Sequence, residues 1–585
     1  MKQDKRKLVF LLCVTFNLAV FLVLCIWGNP LFATNDDYRM RLIVSGSYTG
    51  TPDGHAVFIS YILGSILAFL YKILPDIEWY GFFTMASMYV SVCLCEYIFL
   101  KRARRVKEFF ERSLIIVIFT FLILQKHILM PQFTVTSAFW GMLAIAAAVE
   151  IFNIYHTNHR INWKWSAMFF ISCLMSCLIR KKVFYMCIPM LILLLIVNWQ
   201  RYRQVSRKGL ILTVLAVGCV IILNEGTGAA LNLNSEYKEF SEFNKARSSI
   251  YDYTGVPDYW ENEQFFIEIG VDGPAWENLN NRTFDISESL DAEKLETIYD
   301  HAKETENKNI SYKIWKTIND IRSMMANKNI FFEIAAFLMI VTILLNKNSW
   351  KLRESQKKLL LCFLIYIIIA TIGMAFVGRI VDRILEALLL FVIGAAFSLS
   401  SVSVHKKEET WFWIWKAPIS SRLLLNIGIL CILGIAVIAN QYSLQRDESG
   451  LRGVVMKRTD CINELTKYMS DKQEDFLFYN ALDFISASEE VFTKRENKIL
   501  NIDSLGNWNV FSPNYYKRNE KYGFSSAIEG LSEKDNVYYA EIGEYHANIG
   551  DELDKMDKKL SCIDELYVGE DTIRIYKVEN KAEGE

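Results

Sequence analysis

Met1–Trp27 reads MKQDKRKLVFLLCVTFNLAVFLVLCIW, a basic cluster of Lys2, Lys5, Arg6 and Lys7 followed by an unbroken apolar run from Leu8 to Trp27. A helix needs about 20 apolar residues to cross the hydrocarbon core of a bilayer. The run has that length, and no small-residue cleavage site follows it, so it reads as a retained membrane helix rather than a signal sequence. Lysine and arginine concentrate on the cytoplasmic side of membrane proteins. That bias puts the start of this helix inside and sends the segment after Trp27 to the outer face.

Runs of the same kind recur along the chain, among them LIIVIFTFLIL (114–124) and MLILLLIV (190–197). Candidate spans lie at 8–27, 79–100, 113–130, 133–152, 164–179, 183–198, 209–224, 330–346, 359–377, 384–402 and 422–440, about eleven in all. The 585 residues are 52% hydrophobic and 22% charged, which excludes both a disordered chain and a single water-soluble domain. With 64 Lys+Arg against 65 Asp+Glu the net charge is -1, so there is no global basic field and no nucleic-acid partner is expected. Of the 12 cysteines, only Cys461 and Cys562 lie outside apolar runs, and no zinc or redox spacing occurs.

One further apolar stretch, His55 to Leu74, is long enough to cross but contains Ser60, Gly64, Ser65 and Lys72 and ends at Pro75. Charge decides its reading. If it stays at the surface, the blocks at 101–107, 159–164, 201–208, 347–358 and 405–416 all face the cytoplasm. The inner side then collects about 25 Lys/Arg against about six in the short outer connections. It is therefore read as an interfacial helix on the outer side, packed through the small residues Ser60, Gly64 and Ala68.

The resulting fold class is an α-helical polytopic membrane protein of the plasma membrane, with the N-terminus in the cytoplasm and a small C-terminal α/β domain outside. The membrane domain is 1–440, including a first outer loop (28–78) and a large, aromatic and acidic outer loop (225–329). The outer domain is 441–585, where DFLFYN, DNVYYAEIG and IDELYVGEDTIRIYKV read as strands and NIGDELDKMDKKL as a helix.

Three outer features bear chemistry. Asp36 and Asp37 follow the first span, with Arg39 and Arg41 close behind. Adjacent carboxylates can serve as base and orienter, or hold a divalent metal ion, and a solvated acidic loop has the same composition. Arg180, Lys181 and Lys182 sit at an outer turn against the charge bias, where cations persist by snorkelling or by meeting an anion such as a lipid phosphate. Arg379 and Arg383, four residues apart, suit two-pronged phosphate recognition, and Asp382 could also satisfy one of them locally. Lys126 and His127 form a further outer basic site. Together these describe an anionic, lipid-linked donor attacked by a deprotonated hydroxyl.

On these residues the chain resembles the GT-C class of integral-membrane glycosyltransferases, which includes protein O-mannosyltransferases and aminoarabinose transferases. The resemblance rests on a first helix starting inside, an acidic pair opening the first outer loop (Asp36-Asp37), and a juxtamembrane helix after Asp53-Gly54-His55-Ala56. The family has a His-Pro-like pair before that helix, where this chain has Gly54-His55-Ala56. The resemblance implies a polyprenyl-phosphate sugar donor, a glycan, lipid or protein acceptor, and Asp36 or Asp37 as base in an inverting displacement. The basic turns would hold the donor phosphate, and Arg39, Arg41, Asp53, His55, Lys126 and His127 would be substrate contacts. A divalent ion at Asp36 and Asp37 is permitted, not required. Two other classes suit the sequence: a flippase or export component, disfavoured by spans poor in ionisable residues, and a non-catalytic surface scaffold.

Overall fold

A computed structural model of the chain describes residues 2–103, 106–158, 163–202, 207–308, 310–326, 354–377, 379–399, 451–480, 487–493, 499–542 and 549–581. It is a polytopic helical membrane protein with a C-terminal α/β domain. The helices are α1 (Lys2–Trp27), α2 (Asn35–Ser45), α3 (Tyr61–Ile73), α4 (Trp79–Leu100), α5 (Val106–Phe119), α6 (Gln125–Leu129), α7 (Phe133–Asn158), α8 (Trp163–Ile179), α9 (Lys181–Tyr202) and α10 (Arg207–Leu231). A loop region follows with α11 (Ser235–Ser249), α12 (Glu263–Glu268), α13 (Gly273–Asn280), α14 (Ala292–Lys308) and α15 (Ile310–Ala326), then α16 (Glu354–Phe376) and α17 (Asp382–Leu399).

Nine of the eleven expected spans coincide with helices or, at 113–130, with α5 and α6 joined through a π turn at Thr120–Leu124. The stretches 330–346 and 422–440 lie outside the described residues. Among the described residues six helical stretches are long and apolar enough to cross a membrane by length and composition: Lys5–Trp27, Trp79–Leu100, Glu108–Leu129, Phe133–Ile151, Val214–Leu231 and Lys358–Phe376.

The bundle is built around α7, which is buried from Phe133 to Ile151 and packs on α4, α8, α9 and α17. Helices in lipid gain no hydrophobic energy from meeting one another, so close backbone approach must supply the contact. Two glycines allow it. A Cβ at Gly141 would lie 2.3 Å from the Phe391 ring, and one at Gly394 would lie 2.4 Å from the Met142 carbonyl oxygen.

The two ends of the bundle differ in character. At one end Lys101 and Arg102 both pair with Glu150, Arg102 also donates to the Ser398 carbonyl at 2.6 Å, and Lys5 donates to the Ala103 carbonyl at 2.8 Å. The other end carries α2, α3, the 235–326 region and the C-terminal domain. The helix expected from residue 55 begins at Tyr61, because 54–60 forms the turn that seats it: the Ser60 amide donates to the Leu178 carbonyl at 2.8 Å.

After α18 (Leu451–Met469), the C-terminal domain forms a five-stranded sheet in the order β2-β1-β3-β5-β4. The strands are β1 (Phe476–Tyr479), β2 (Ile502–Ser504), β3 (Val537–Ile542), β4 (Lys558–Val568) and β5 (Asp571–Asn580). β2 and β3 run parallel to β1, and β5 runs antiparallel to β3 and β4. β4 and β5 form a hairpin across Gly569-Glu570, where φ of +59° at Gly569 suits a two-residue turn. The helix expected over NIGDELDKMDKKL stops at Asp554, and Lys558–Leu560 belong to β4.

Candidate functional site

Asn35–Ser45 folds as α2 because Asp36 and Asp37 in its first turn favour the positive end of the helix dipole, and Gly46, at φ +87°, closes it in the left-handed region. Successive helical residues point about 100° apart. The two neighbouring carboxylates therefore part company. Asp36 lines a cavity of about 750 Å³, and Asp37 does not reach it.

Asp37 is completely buried. It accepts the Tyr80 hydroxyl at 2.9 Å, the Phe133 amide at 3.0 Å and the Thr34 hydroxyl at 3.2 Å, tying α2 to α4 and to the first turn of α7. Burial pushes its carboxyl up to about 7, against the downward pull of the Tyr80 bond. Its bonds are structural, and of the acidic pair only Asp36 lines the cavity. The two carboxylates do not face one space. Among the described residues no three His, Cys, Asp or Glu side chains gather where they could hold an ion.

The cavity lies at the domain-bearing end of the bundle and draws most of its walls from five places. These are α2 and the turn before α3, the turn 180–182, the end of α10, the 241–252 and 282 segments, and the C-terminal domain at Tyr479 and Ser504–Trp508. Arg379, just before α17, and Arg383, in its first turn, complete it. Nine lysine or arginine side chains line the space against two carboxylates, Asp36 and Asp252. That imbalance gives the space an excess of positive charge, which favours an anion over a cation.

Four of the nine cations are spoken for. Arg383 is 3.9 Å from Asp36, Arg379 is 2.5 Å from Asp252, Lys181 is 3.3 Å from Glu225, and Arg39 is 2.7 Å from Asp503. Asp252 sits in a π turn, Ile250–Thr254, a rare geometry that recurs at functional sites. Arg180, Lys182, Lys245, Arg247 and Arg282 have no carboxylate within ion-pair distance among the described residues. Arg180 lies between the Phe58 and Phe133 rings, 5.0 Å from each centroid. Burial, with Arg383 and Arg379 nearby, outweighs the attraction of Asp36 and lowers its guanidinium to about 10.

Several other expected contacts are structural. Arg39 bonds Ser504 at 2.5 Å as well as Asp503, and the same Asp503 carboxylate takes Arg518, Tyr48 at 3.0 Å and Asn507 at 3.2 Å. Arg41 is held by Glu489, by Glu78 at 2.5 Å and by the Thr493 carbonyl at 2.6 Å. These bonds dock α2 onto the C-terminal domain. Asp53 pairs with His55 at 2.6 Å, and His55 stacks on Tyr237 at 4.0 Å; neither lines the cavity. Lys126 pairs with Glu386 at 2.6 Å and His127 is buried, both away from the cavity lining.

Arg247, Asp252, Arg282, Ser504, Asn507 and Trp508 line the cavity without having been singled out in the sequence, which offers no local pattern for them.

No protein-family model matches the chain, and no curated protein matches it. Among solved structures the chain is similar to a crystal structure of ArnT from Cupriavidus metallidurans bound to undecaprenyl phosphate. The TM-score is 0.38 at 10% identity, covering 96% of this chain and 97% of that one. That likeness is too distant to transfer a role to any residue.

Proposed function

We propose that the protein is a membrane glycosyltransferase that moves a sugar from a polyprenyl-phosphate donor to a hydroxyl of a cell-surface glycan, lipid or protein, within the cavity at the outer end of the bundle. The observation that carries this reading is Asp36 facing a space whose other charged walls are almost entirely cationic. An anionic donor and an acid–base step both find their partners there.

In this reading Asp36 takes the proton of the acceptor hydroxyl as its oxygen bonds to the anomeric carbon. The bond from that carbon to the phosphate oxygen breaks, and the charge left on the phosphate falls to Arg180, Arg379 and Arg383, with Lys182 behind them. Cations held in place before charge develops usually lower the barrier to such a transfer more than any other single effect. Trp508, against Phe58 at 4.8 Å between ring centroids, offers an aromatic wall for a sugar ring. A carrier would need an ionisable site within the bundle, whereas this cavity is closed by two polar regions at one end of it.

The test is transfer of labelled sugar from a polyprenyl-phosphate donor to membrane acceptors. Asp36→Asn should lower transfer by roughly 10²–10⁴ while polyprenyl phosphate still binds. Undiminished transfer in that variant would remove Asp36 from the chemistry.

A further inference from the structure

The cavity holds more positive charge than one donor phosphate uses, and the surplus is not spread evenly. Arg180, Lys182, Arg379 and Arg383 come from turns of the bundle. Arg247 and Arg282 come from the loop region, on α11 and after α13, and neither has a carboxylate partner among the described residues. Arg247 precedes Tyr251 by one helical turn, so the two share a face. Arg282 lies over that same Tyr251 ring, 4.8 Å from its centroid. The tyrosine ring thus holds Arg282, while the Arg247 guanidinium donates to Asn244 Oδ1 at 2.9 and 3.1 Å one turn earlier on α11. Asp252 stands beside Tyr251 and is engaged with Arg379 of the bundle.

The backbone shows that this corner is built. Arg282 has φ +59°, a conformation costly for a residue with a side chain. Its carbonyl presses on Gly506 of the C-terminal domain, where a Cβ would lie 1.4 Å away, and the Gly506 amide donates to Asp285 at 2.7 Å. Both regions therefore cooperate to aim one arginine into the cavity. Strain of that kind persists where the surroundings over-determine it, as at ligand sites.

We infer that Arg247 and Arg282 form a second anion-binding corner, which takes a phosphate or carboxylate group distinct from the one held by Arg180, Arg379 and Arg383. This rests on the proposed transfer reaction for its meaning: the second anion is carried either by the acceptor or by a second phosphate on the lipid carrier.

The full-length protein in detergent, saturated with polyprenyl monophosphate, is titrated with methyl phosphate by calorimetry. The comparison variant is Arg247→Gln with Arg282→Asn, asparagine being tolerated at positive φ. The loaded wild type should take up methyl phosphate. The variant should bind it about tenfold or more weakly while its affinity for polyprenyl monophosphate stays within about twofold, since truncating one charged contact leaves a separate one intact. Repeating the titration on protein loaded with polyprenyl diphosphate distinguishes the sources. Blocked uptake assigns the corner to the carrier's second phosphate, and continued uptake assigns it to the acceptor. No uptake by the loaded wild type, or equal loss of both ligands in a variant that melts normally, overturns the inference. Failure of the wild type to bind polyprenyl monophosphate, with methyl phosphate still lost in the variant, would instead sink the donor assignment and leave the corner standing.

Discussion

The Arg383 guanidinium lies 3.9 Å from the Asp36 carboxylate, joining the first turn of α2 to the start of α17. The contact is long enough to be yielded to a substrate and short enough to hold Asp36 toward the cavity. An acceptor hydroxyl and a donor phosphate would each replace half of it.

General-base catalysis is worth roughly 10²–10⁴ in rate. Asp36→Asn should lower turnover by that order with little change in donor affinity, measured as kcat and KM for a labelled polyprenyl-phosphate sugar. A rise in KM with kcat intact would place Asp36 in binding instead.

Asp37→Asn should behave differently, because Asp37 faces Tyr80, Thr34 and Phe133 rather than substrate. Its carboxyl, raised by burial to about 7 from 3.8, binds a proton more tightly folded than unfolded. Its contribution to stability is therefore complete below the unfolded value and is lost as pH rises toward about 7. The melting temperature of the wild type should fall over that window more than that of Asp37→Asn. Parallel pH profiles for the two proteins would show that Asp37 is not the group responsible.

Removing Arg379 and Arg383 by substitution with Gln should weaken polyprenyl-phosphate binding by about 10- to 100-fold each, the range expected for charge-assisted hydrogen bonds of about 1.5–3 kcal/mol. Equilibrium binding in detergent at two salt concentrations checks this. The loss should be larger at low salt, where cationic side chains are least screened. Unchanged affinity in both variants would move the donor phosphate elsewhere.

Asp503→Ala would leave Arg39 and Arg518 buried without a counter-charge. Losing one partner of a buried ion pair costs about 3–5 kcal/mol. Protease cleavage between the bundle and the C-terminal domain should become faster, and transfer should fall in step. Normal protease resistance would show that the domain is held by other contacts.

The membrane helices were legible because each is encoded locally, by a run of apolar residues as long as a bilayer is thick. The basic turn at 180–182 stood out because its cations run against the charge bias, and Arg379 and Arg383 because their four-residue spacing suits one anion. The division of labour between Asp36 and Asp37 was not legible, since which of two adjacent helical residues faces a cavity depends on how α2 is rotated against α4 and α7. Arg247, Arg282, Ser504 and Trp508 carried no signal either. They meet only because segments hundreds of residues apart fold against one another. The three-residue strand β2 is too short for alternation to mark it.

The Arg39–Asp503 bond spans 464 residues of sequence. During synthesis the ribosome delivers Arg39 long before its counter-ion exists, so the compartment around Asp36 can acquire this wall only after Asp503 has been made. A product cut short before Asp503 would have its helices in place and the compartment around Asp36 open to water. Closure of the compartment thus waits on the arrival of the C-terminal domain.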